Sequence, residues 1–296
     1  MTIKTVLFFR IVKKTFFPYS RCRQNNTTKI RGDIMKTVVV TGASSGIGLA
    51  IAELFITKGY KVYNFSRHRN EASSAEYICC DVTDESAVRK AFRTVFDKEG
   101  RIDILVNNAG FGISGATEFT TLESAKKQFE VNFFGTVTCS NQVAGYMRNQ
   151  GGGMIINISS LAAQLSIPFQ TFYSASKAAV NSLTLALANE LSPFGIKVCA
   201  VMPGDVKTGF TDAREKGSSE DGVYSEILQK SVATMEKDEQ NGMSPEEIAK
   251  AVYRLSQKKN PKPLSTVGFQ YKSLSTLAKL LPVRAVNYII RTIYAK

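Results

Sequence analysis

From Lys36 onward the chain alternates two kinds of apolar pattern. Short β-branched or continuously apolar runs predict strands at Thr37–Val40, Lys61–Phe65, Tyr77–Cys80, Ile102–Val106, Met154–Ile158 and Ile196–Val201. Between them, helical periodicity predicts helices over Ile47–Lys58, from Asp84 to about Lys98, over Leu122–Arg148 and over Phe172–Leu191. Gly59 ends the first helix, Asp84 caps the second, Gly151–Gly153 breaks the third, and Pro203-Gly204 closes the last strand. Strand–helix alternation implies parallel βαβ units with right-handed crossovers. Strands apolar on both faces imply helices on both sides. The expected fold is therefore α/β: one domain with a doubly wound parallel sheet of about seven strands.

The domain is expected to span 35–270. A polar, Gly/Ser-bearing stretch at 205–247 reads as a loop-and-helix insertion over the site. In the tail, 271–296, Ala285, Val286, Ile289, Ile290 and Ile293 fall on one helical face, flanked by Arg284, Arg291 and Lys296, and Pro282 can start the helix. The reading adopted is a helix that packs on the body or caps its pocket; the rival is a basic helix lying on a membrane.

Charge changes the picture at the ends only. The 296 residues carry +13, but residues 1–34 hold +7, residues 248–296 hold +10, and the middle is −4. A nucleic-acid partner would need a basic face on the folded body, so it is set aside. Basic ends suit at most a weak contact with an anionic membrane surface. In 1–34, Val6-Leu7-Phe8-Phe9 is interrupted by charge too soon for a membrane span. Two readings of this segment stand: translation begins at Met35, or the segment is a basic arm that touches membrane. N-terminal sequencing of the native protein separates them. Cys22, Cys79, Cys80, Cys139 and Cys199 are odd in number with no Cys-x-x-Cys, and His68 is the single histidine. No metal site or disulfide framework is expected. Cys79 and Cys80 read as buried thiols, and a cytoplasmic compartment fits best.

The candidate chemistry begins at Thr41-Gly42-Ala43-Ser44-Ser45-Gly46-Ile47-Gly48, between the first strand and first helix. Such glycines permit a tight turn and close approach of backbone to a pyrophosphate, which the helix N-terminus attracts. The spacing is Gly-x-x-x-Gly-x-Gly rather than the general dinucleotide pattern. The second strand ends in Ser66-Arg67 with no acid to hold a ribose 2′-hydroxyl. Arg67, with Arg69 as accomplice, can instead pair with a 2′-phosphate, which points to NADP(H). Asp81 can meet the adenine amino group. Tyr173 and Lys177 lie four apart on a helix face, thirteen and seventeen residues after Ser160 at a strand's end. Ketone reduction needs a hydride and a proton. A phenol titrates near ~10, and a neighbouring ammonium together with the positive charge of oxidised nicotinamide is expected to lower that value. The serine hydroxyl can hold the carbonyl oxygen. Tyr-x-x-x-Lys alone means little; its weight comes from this ordered company.

With these residues in view, the chain over about 36–210 resembles the short-chain dehydrogenase/reductase family, whose domain is of the Rossmann type. The resemblance rests on Thr41–Gly48, Asp81, Asn107–Gly110, Asn132 in Val131-Asn132-Phe133-Phe134-Gly135, Ser159-Ser160, Tyr173-x-x-x-Lys177 and Pro203-Gly204-x-Val206-x-Thr208. It implies a catalytic set of Asn132, Ser160, Tyr173 and Lys177, with Asn132 holding a water that links Lys177 to solvent. It implies a cofactor shell of Gly42, Ser44, Ser45, Gly46, Ile47, Gly48, Ser66, Arg67, Asp81, Val82, Asn108, Ala109, Gly110, Tyr173, Lys177, Pro203, Gly204, Val206 and Thr208. Within that shell Asn108 and Lys177 would meet ribose, and Val206 and Thr208 the nicotinamide carboxamide. The family is commonly dimeric or tetrameric. Asn107–Gly112, Arg67 and the basic tail look like reductases similar to 17β-hydroxysteroid and retinol dehydrogenases. Phe111, Phe169, Phe172, Met202 and Phe210 are candidates to line an apolar substrate site. The expected activity is NADP(H)-dependent interconversion of a secondary alcohol and a ketone or aldehyde, on a steroid, retinoid or other lipophilic carbonyl. The alternatives are an oxoacyl-type reductase, a non-catalytic NADP-sensing regulator, and a peripheral membrane scaffold using the tails.

Overall fold

In the computed structural model, seven parallel strands form the central sheet, in the spatial order β3-β2-β1-β4-β6-β7-β9. They are β1 (Thr37–Thr41), β2 (Lys61–Ser66), β3 (Glu76–Cys79), β4 (Ile104–Asn107), β6 (Gly153–Ile158), β7 (Ile196–Met202) and β9 (Leu264–Thr266). The two-residue strands β5 (Ile113–Ser114) and β8 (Glu215–Lys216) pair apart from it. The structure describes residues 35–210, 214–216 and 222–295. The expectations for 1–34, and the part played by Lys296, lie outside them.

Alternate strand residues feed two cores. Val38 and Val40 face one layer and Val39 the other; Ile104 and Val106 oppose Leu105 in the same way. The first layer is closed by α1 (Gly46–Thr57) through Ile51, Ala52 and Phe55, and by α7 (Pro245–Ser256) through Ile248, Val252 and Leu255. The second is closed by α2 (Glu85–Glu99) through Val88, Phe92 and Val95, and by α4 (Gly135–Asn149) through Cys139, Val143 and Met147. This two-sided burial is why the strands read as continuous apolar runs.

Between β1 and β4 the strand order reverses direction across the sheet. The carboxyl ends of the strands at such a point open a crevice, and ligands bind there in sheets of this kind.

The third helix departs from its expected continuity. It is α3 (Leu122–Phe129), a π-turn at Glu130–Phe134, and then α4. Helical periodicity does not reveal a single π-turn, because the added residue shifts the apolar face only locally. β9 also escaped the pattern: three residues, partly buried, with Ser265 at the centre. Cys79 is a correction. It is exposed, since β3 is the edge strand, whereas Cys80, Cys139 and Cys199 are buried.

Beyond β7, α6 (Ser225–Gln240) and α7 are followed by α8 (Phe269–Leu280) and α9 (Val283–Tyr294). Tyr271 of α8 and Ile290 of α9 pack on Leu161 and Leu165, in the segment between β6 and α5 (Thr171–Glu190). The C-terminal helices thus dock beside the carboxyl ends of the strands.

Candidate active site

A continuous cavity of ≈ 760 Å³ runs along that edge of the sheet. One end is built by the Gly-rich turn. Gly42 has φ +65°, and a Cβ there would come within 2.9 Å of the Ala109 Cα. The Asn64 side chain accepts from the Ala43 N–H at 3.0 Å, and Gly42 N–H donates to the Phe65 carbonyl, so the turn is tied to β2. Ser45 starts α1 without a side-chain bond to its first turn, and no acid sits in that turn. The N–H groups of Gly46 and Ile47 therefore meet the cavity with the positive end of the helix dipole behind them. This cradle fits a pyrophosphate.

Gly48 does not reach the cavity. A Cβ there would lie 2.4 Å from both the Gly42 carbonyl oxygen and the Asn108 Nδ2. Its place in the cofactor shell is thus corrected to close packing of α1 on the turn. Asn108 lines the cavity, but its amide donates to the carbonyls of Thr41 and Gly42 at 3.0 and 3.1 Å. It holds the β1 and β4 loops together.

Ser44, Ser45, Ser66, Arg67, Asp81, Val82, Ala109, Gly110, Pro203, Gly204, Val206 and Thr208 all line the same cavity. Arg67 forms no ion pair among the described residues, while Arg69 is held by Glu71 at 3.2 Å. No acid follows β2 before Glu71. One carboxylate oxygen of Asp81 accepts from both the N–H and the hydroxyl of Thr83.

Past the turn the cavity reaches Ser160 and Tyr173. Ser160 starts a short 3-10 turn after β6, accepting from Ala162 N–H at 3.1 Å, and Tyr173 sits in the first turn of α5. The two side chains hydrogen-bond each other. Tyr173 keeps part of its ring open to the cavity yet lies far from bulk water, so burial pushes its phenol up to about 12. The Ser160 bond acts in the opposite direction, Glu239 and Asp205 add to the rise, and Arg214 opposes it. The expected depression of this phenol by the ammonium is not what this arrangement produces. Burial outweighs the Ser160 and Arg214 contacts, because a phenolate loses more from lost hydration than those contacts return.

Lys177 explains part of that difference. Its Nζ is 5.8 Å from the centre of the Tyr173 ring and donates to the Ile158 carbonyl at 2.9 Å. The side chain is buried, and burial alone lowers its ammonium to about 8. Asn132 lies behind it in the π-turn, fully buried, outside the cavity lining. Its carboxamide accepts from Phe111 N–H and donates to Phe111 carbonyl, both at 3.0 Å, and donates to Ser176 Oγ at 3.2 Å. Gly110 bridges the two residues: a Cβ there would lie 3.0 Å from Asn132 Oδ1 and 3.5 Å from Lys177 Nζ.

Two of the five substrate candidates line the cavity, Phe111 and Phe210. The Phe210 ring lies 5.7 Å from that of Tyr173. Met202 is a correction: it is core, 2% exposed, and accepts from Asn181. So is Phe169, whose ring turns to Tyr224 outside the lining residues, on a backbone at φ 61°. Phe172 is half-buried on α5, also outside the lining. An aromatic residue's nearness in sequence to a site says nothing about which way its ring points.

The chain over residues 36–219 matches the family model described as short chain dehydrogenase. It belongs to the short-chain dehydrogenase family. This short-chain dehydrogenase is 41% identical over 264 residues to a 3-ketodihydrosphingosine reductase of Bacteroides thetaiotaomicron, covering 87% of this chain and 97% of the relative. It is 30% identical to an NADPH-dependent 3-dehydrocapnine reductase of Ornithobacterium rhinotracheale, covering 86% and 96%. A short-chain dehydrogenase from Streptomyces avermitilis superposes with a TM-score of 0.76 at 32% identity, over 86% of this chain and 95% of that one. The protein is thus an oxidoreductase acting on a carbonyl or alcohol, with a fold that binds a nicotinamide cofactor.

Sequence reasoning missed the far wall of the cavity. Asp205, Met235, Glu239, Tyr271, Leu277 and Ile290 line it, drawn from α6, α8, α9 and the loop after β7. Asp205 accepts from the Tyr271 hydroxyl at 3.0 Å, and Glu239 pairs with buried Arg214. The advance signals were the 205–247 stretch, read as an insertion over the site, and the amphipathic tail, whose pattern marks a helix face as covered but does not say by what.

Proposed function

We propose that this short-chain dehydrogenase is an NADPH-dependent reductase of a long-chain, lipid-type ketone. The observation that carries the reading is the cavity's course. It leaves Ser160 and Tyr173 and continues between α8 and α9, where Leu277, Ala278, Leu281, Val286, Ile290 and Ile293 form its walls. Such a lining accepts an alkyl chain by burial of apolar surface and offers it few polar partners. The relative named for 3-ketodihydrosphingosine, itself a long-chain ketone, supports the class. The NADPH in the other relative's name agrees with Arg67 and with the absence of an acid at the end of β2.

The nicotinamide, when bound, supplies the hydride. Gly46 and Ile47 would hold the pyrophosphate with backbone N–H groups, Arg67 would meet the 2′-phosphate, and Asp81 would face the adenine. Ser160 donates to the carbonyl oxygen and fixes it beside Tyr173. Tyr173, protonated across neutral pH, delivers the proton to that oxygen as alkoxide charge develops. Lys177 keeps positive charge beside the resulting phenolate. Phe210 excludes water from one side of the tyrosine ring.

The test is cofactor oxidation with NADPH and NADH against a panel of long-chain 3-oxo compounds, steroids, retinal, short ketones and oxoacyl thioesters. Long-chain ketones with NADPH should give the highest kcat/KM. Arg67→Ala should cost NADPH about 1.5–3 kcal/mol of binding, as for loss of a charged hydrogen bond, and leave NADH nearly unchanged. Equal loss for both cofactors, or fastest turnover of an acyl thioester, rejects the reading. Binding of NADPH without turnover of any carbonyl would favour a sensor.

A further inference from the structure

We infer that the α8–α9 hairpin seats on the surface of an anionic lipid bilayer and draws its ketone from that surface into the cavity. This rests on the lipid-ketone reading above, and its test is separable from it.

Four residues have two roles at once. Leu274, Leu277, Ile289 and Ile293 line the cavity, and each is also about half exposed, so the cavity opens to the outside between the two helices. Around that opening the surface remains apolar. Leu280 and Val283, on either side of the α8–α9 turn, are 78% and 75% exposed, and Tyr288 is exposed on α9. Contiguous apolar surface of this kind marks an interaction site rather than ordinary exposure.

Charge selects the partner. Residues 248–296 hold ten Lys and Arg and no Asp or Glu. Lys272, Lys279, Arg284 and Arg291 are exposed on the two helices that carry the apolar rim. A second copy of the chain meeting this face across a two-fold axis would set like charge against like. Anionic headgroups complement it, and the apolar rim enters the boundary between headgroups and acyl chains. The hairpin is too short and too charged to cross a bilayer, and no helix among the described residues is long and apolar enough to do so. A long-chain ketone then slides from bilayer to cavity without passing its methylenes through water.

Flotation of the full chain with vesicles tests this without any turnover. The chain should float with mixed phosphatidylcholine–phosphatidylglycerol vesicles and far less with phosphatidylcholine alone. The double substitution Leu280→Ser, Val283→Ser should cut partitioning about tenfold, as loss of two buried apolar side chains does, and Arg284→Glu should cut it by about the same factor. Neither variant touches the cavity lining, so kcat/KM for a short water-soluble ketone should hold. Reduction of a long-chain ketone presented in vesicles should fall, and reduction of the same ketone in detergent micelles should not. Absence of wild-type flotation, equal flotation of variants and wild type, or a stable dimer crosslinked through the Val283→Cys variant overturns the inference. Failure to reduce the ketone in micelles instead rejects the substrate reading and leaves the flotation result to stand.

Discussion

At the scale of single residues, the proposed reduction asks two titrating groups to share one proton. Tyr173, near 12, is a donor throughout neutral pH, and Lys177, near 8, is the group whose charge changes in the working range. Burial favours the neutral form of Lys177. The folded state therefore gains stability as pH rises from about 8 toward the ordinary 10.5, while the ammonium that supports reduction is lost. The kcat for reduction should consequently descend above about pH 8, and a profile flat through that region would contradict the assignment of Lys177. Tyr173→Phe should lower turnover by about 10² to 10⁴ while NADPH still titrates the protein by fluorescence, because only the proton is removed. Gly110 is the subtler case. Its Cα faces Asn132, so Gly110→Ala should press on Asn132 Oδ1, shift the carboxamide behind Lys177 by a few tenths of an ångström, and cost kcat about tenfold. Stability, followed by thermal melting, should change far less.

At the scale of elements, local signals and tertiary constraints separate cleanly. The second helix was legible from Asp84, whose carboxylate accepts from Ser86 and Ala87 N–H at 2.8 and 3.1 Å. Asp84→Ala should cost about 1 kcal/mol in a denaturant titration and leave kcat unchanged. The π-turn at Glu130–Phe134 was not legible. It exists because Asn132 must bond both backbone groups of Phe111, and because Gly135 must press within reach of Val82, where a Cβ would lie 2.6 Å from Cγ2. Those partners are 21 and 53 residues away in sequence. β9 was missed for a related reason: three partly polar residues become a strand only when β7 offers an edge.

At the scale of the whole molecule, the end of the cavity beyond Tyr173 is assembled from pieces the chain visits last. Ile290 is buried against Leu161, Leu165 and Tyr271 and holds α9 over the opening. Ile290→Ser should loosen that lid and raise KM for long-chain ketones more than for short ones. Equal changes for both would mean that α9 does not wall the alkyl site. The sequence reads the tail as a helix that packs on the body or caps its pocket; α9 packs through Ile290 on Leu161, Leu165 and Tyr271. On that one apolar face Ile290 is buried, while Ile289 and Ile293 line the cavity half exposed.

The sequence by itself determined the parts whose physics is local. These are the strand and helix runs, the turn that only glycines can make before α1, the Asp84 cap, and the ordered placing of Ser160, Tyr173 and Lys177 at strand ends and on one helix face. Each depends on residues a few positions apart, where spacing is geometry. Only the tertiary structure decided that Gly48 packs rather than binds, that Met202 is core while Phe210 stands against Tyr173, and that burial holds the tyrosine high and the lysine low. It alone decided that the cavity opens between α8 and α9. Desolvation and cavity shape are sums over neighbours distant in the chain, and no local pattern encodes which of those neighbours arrive.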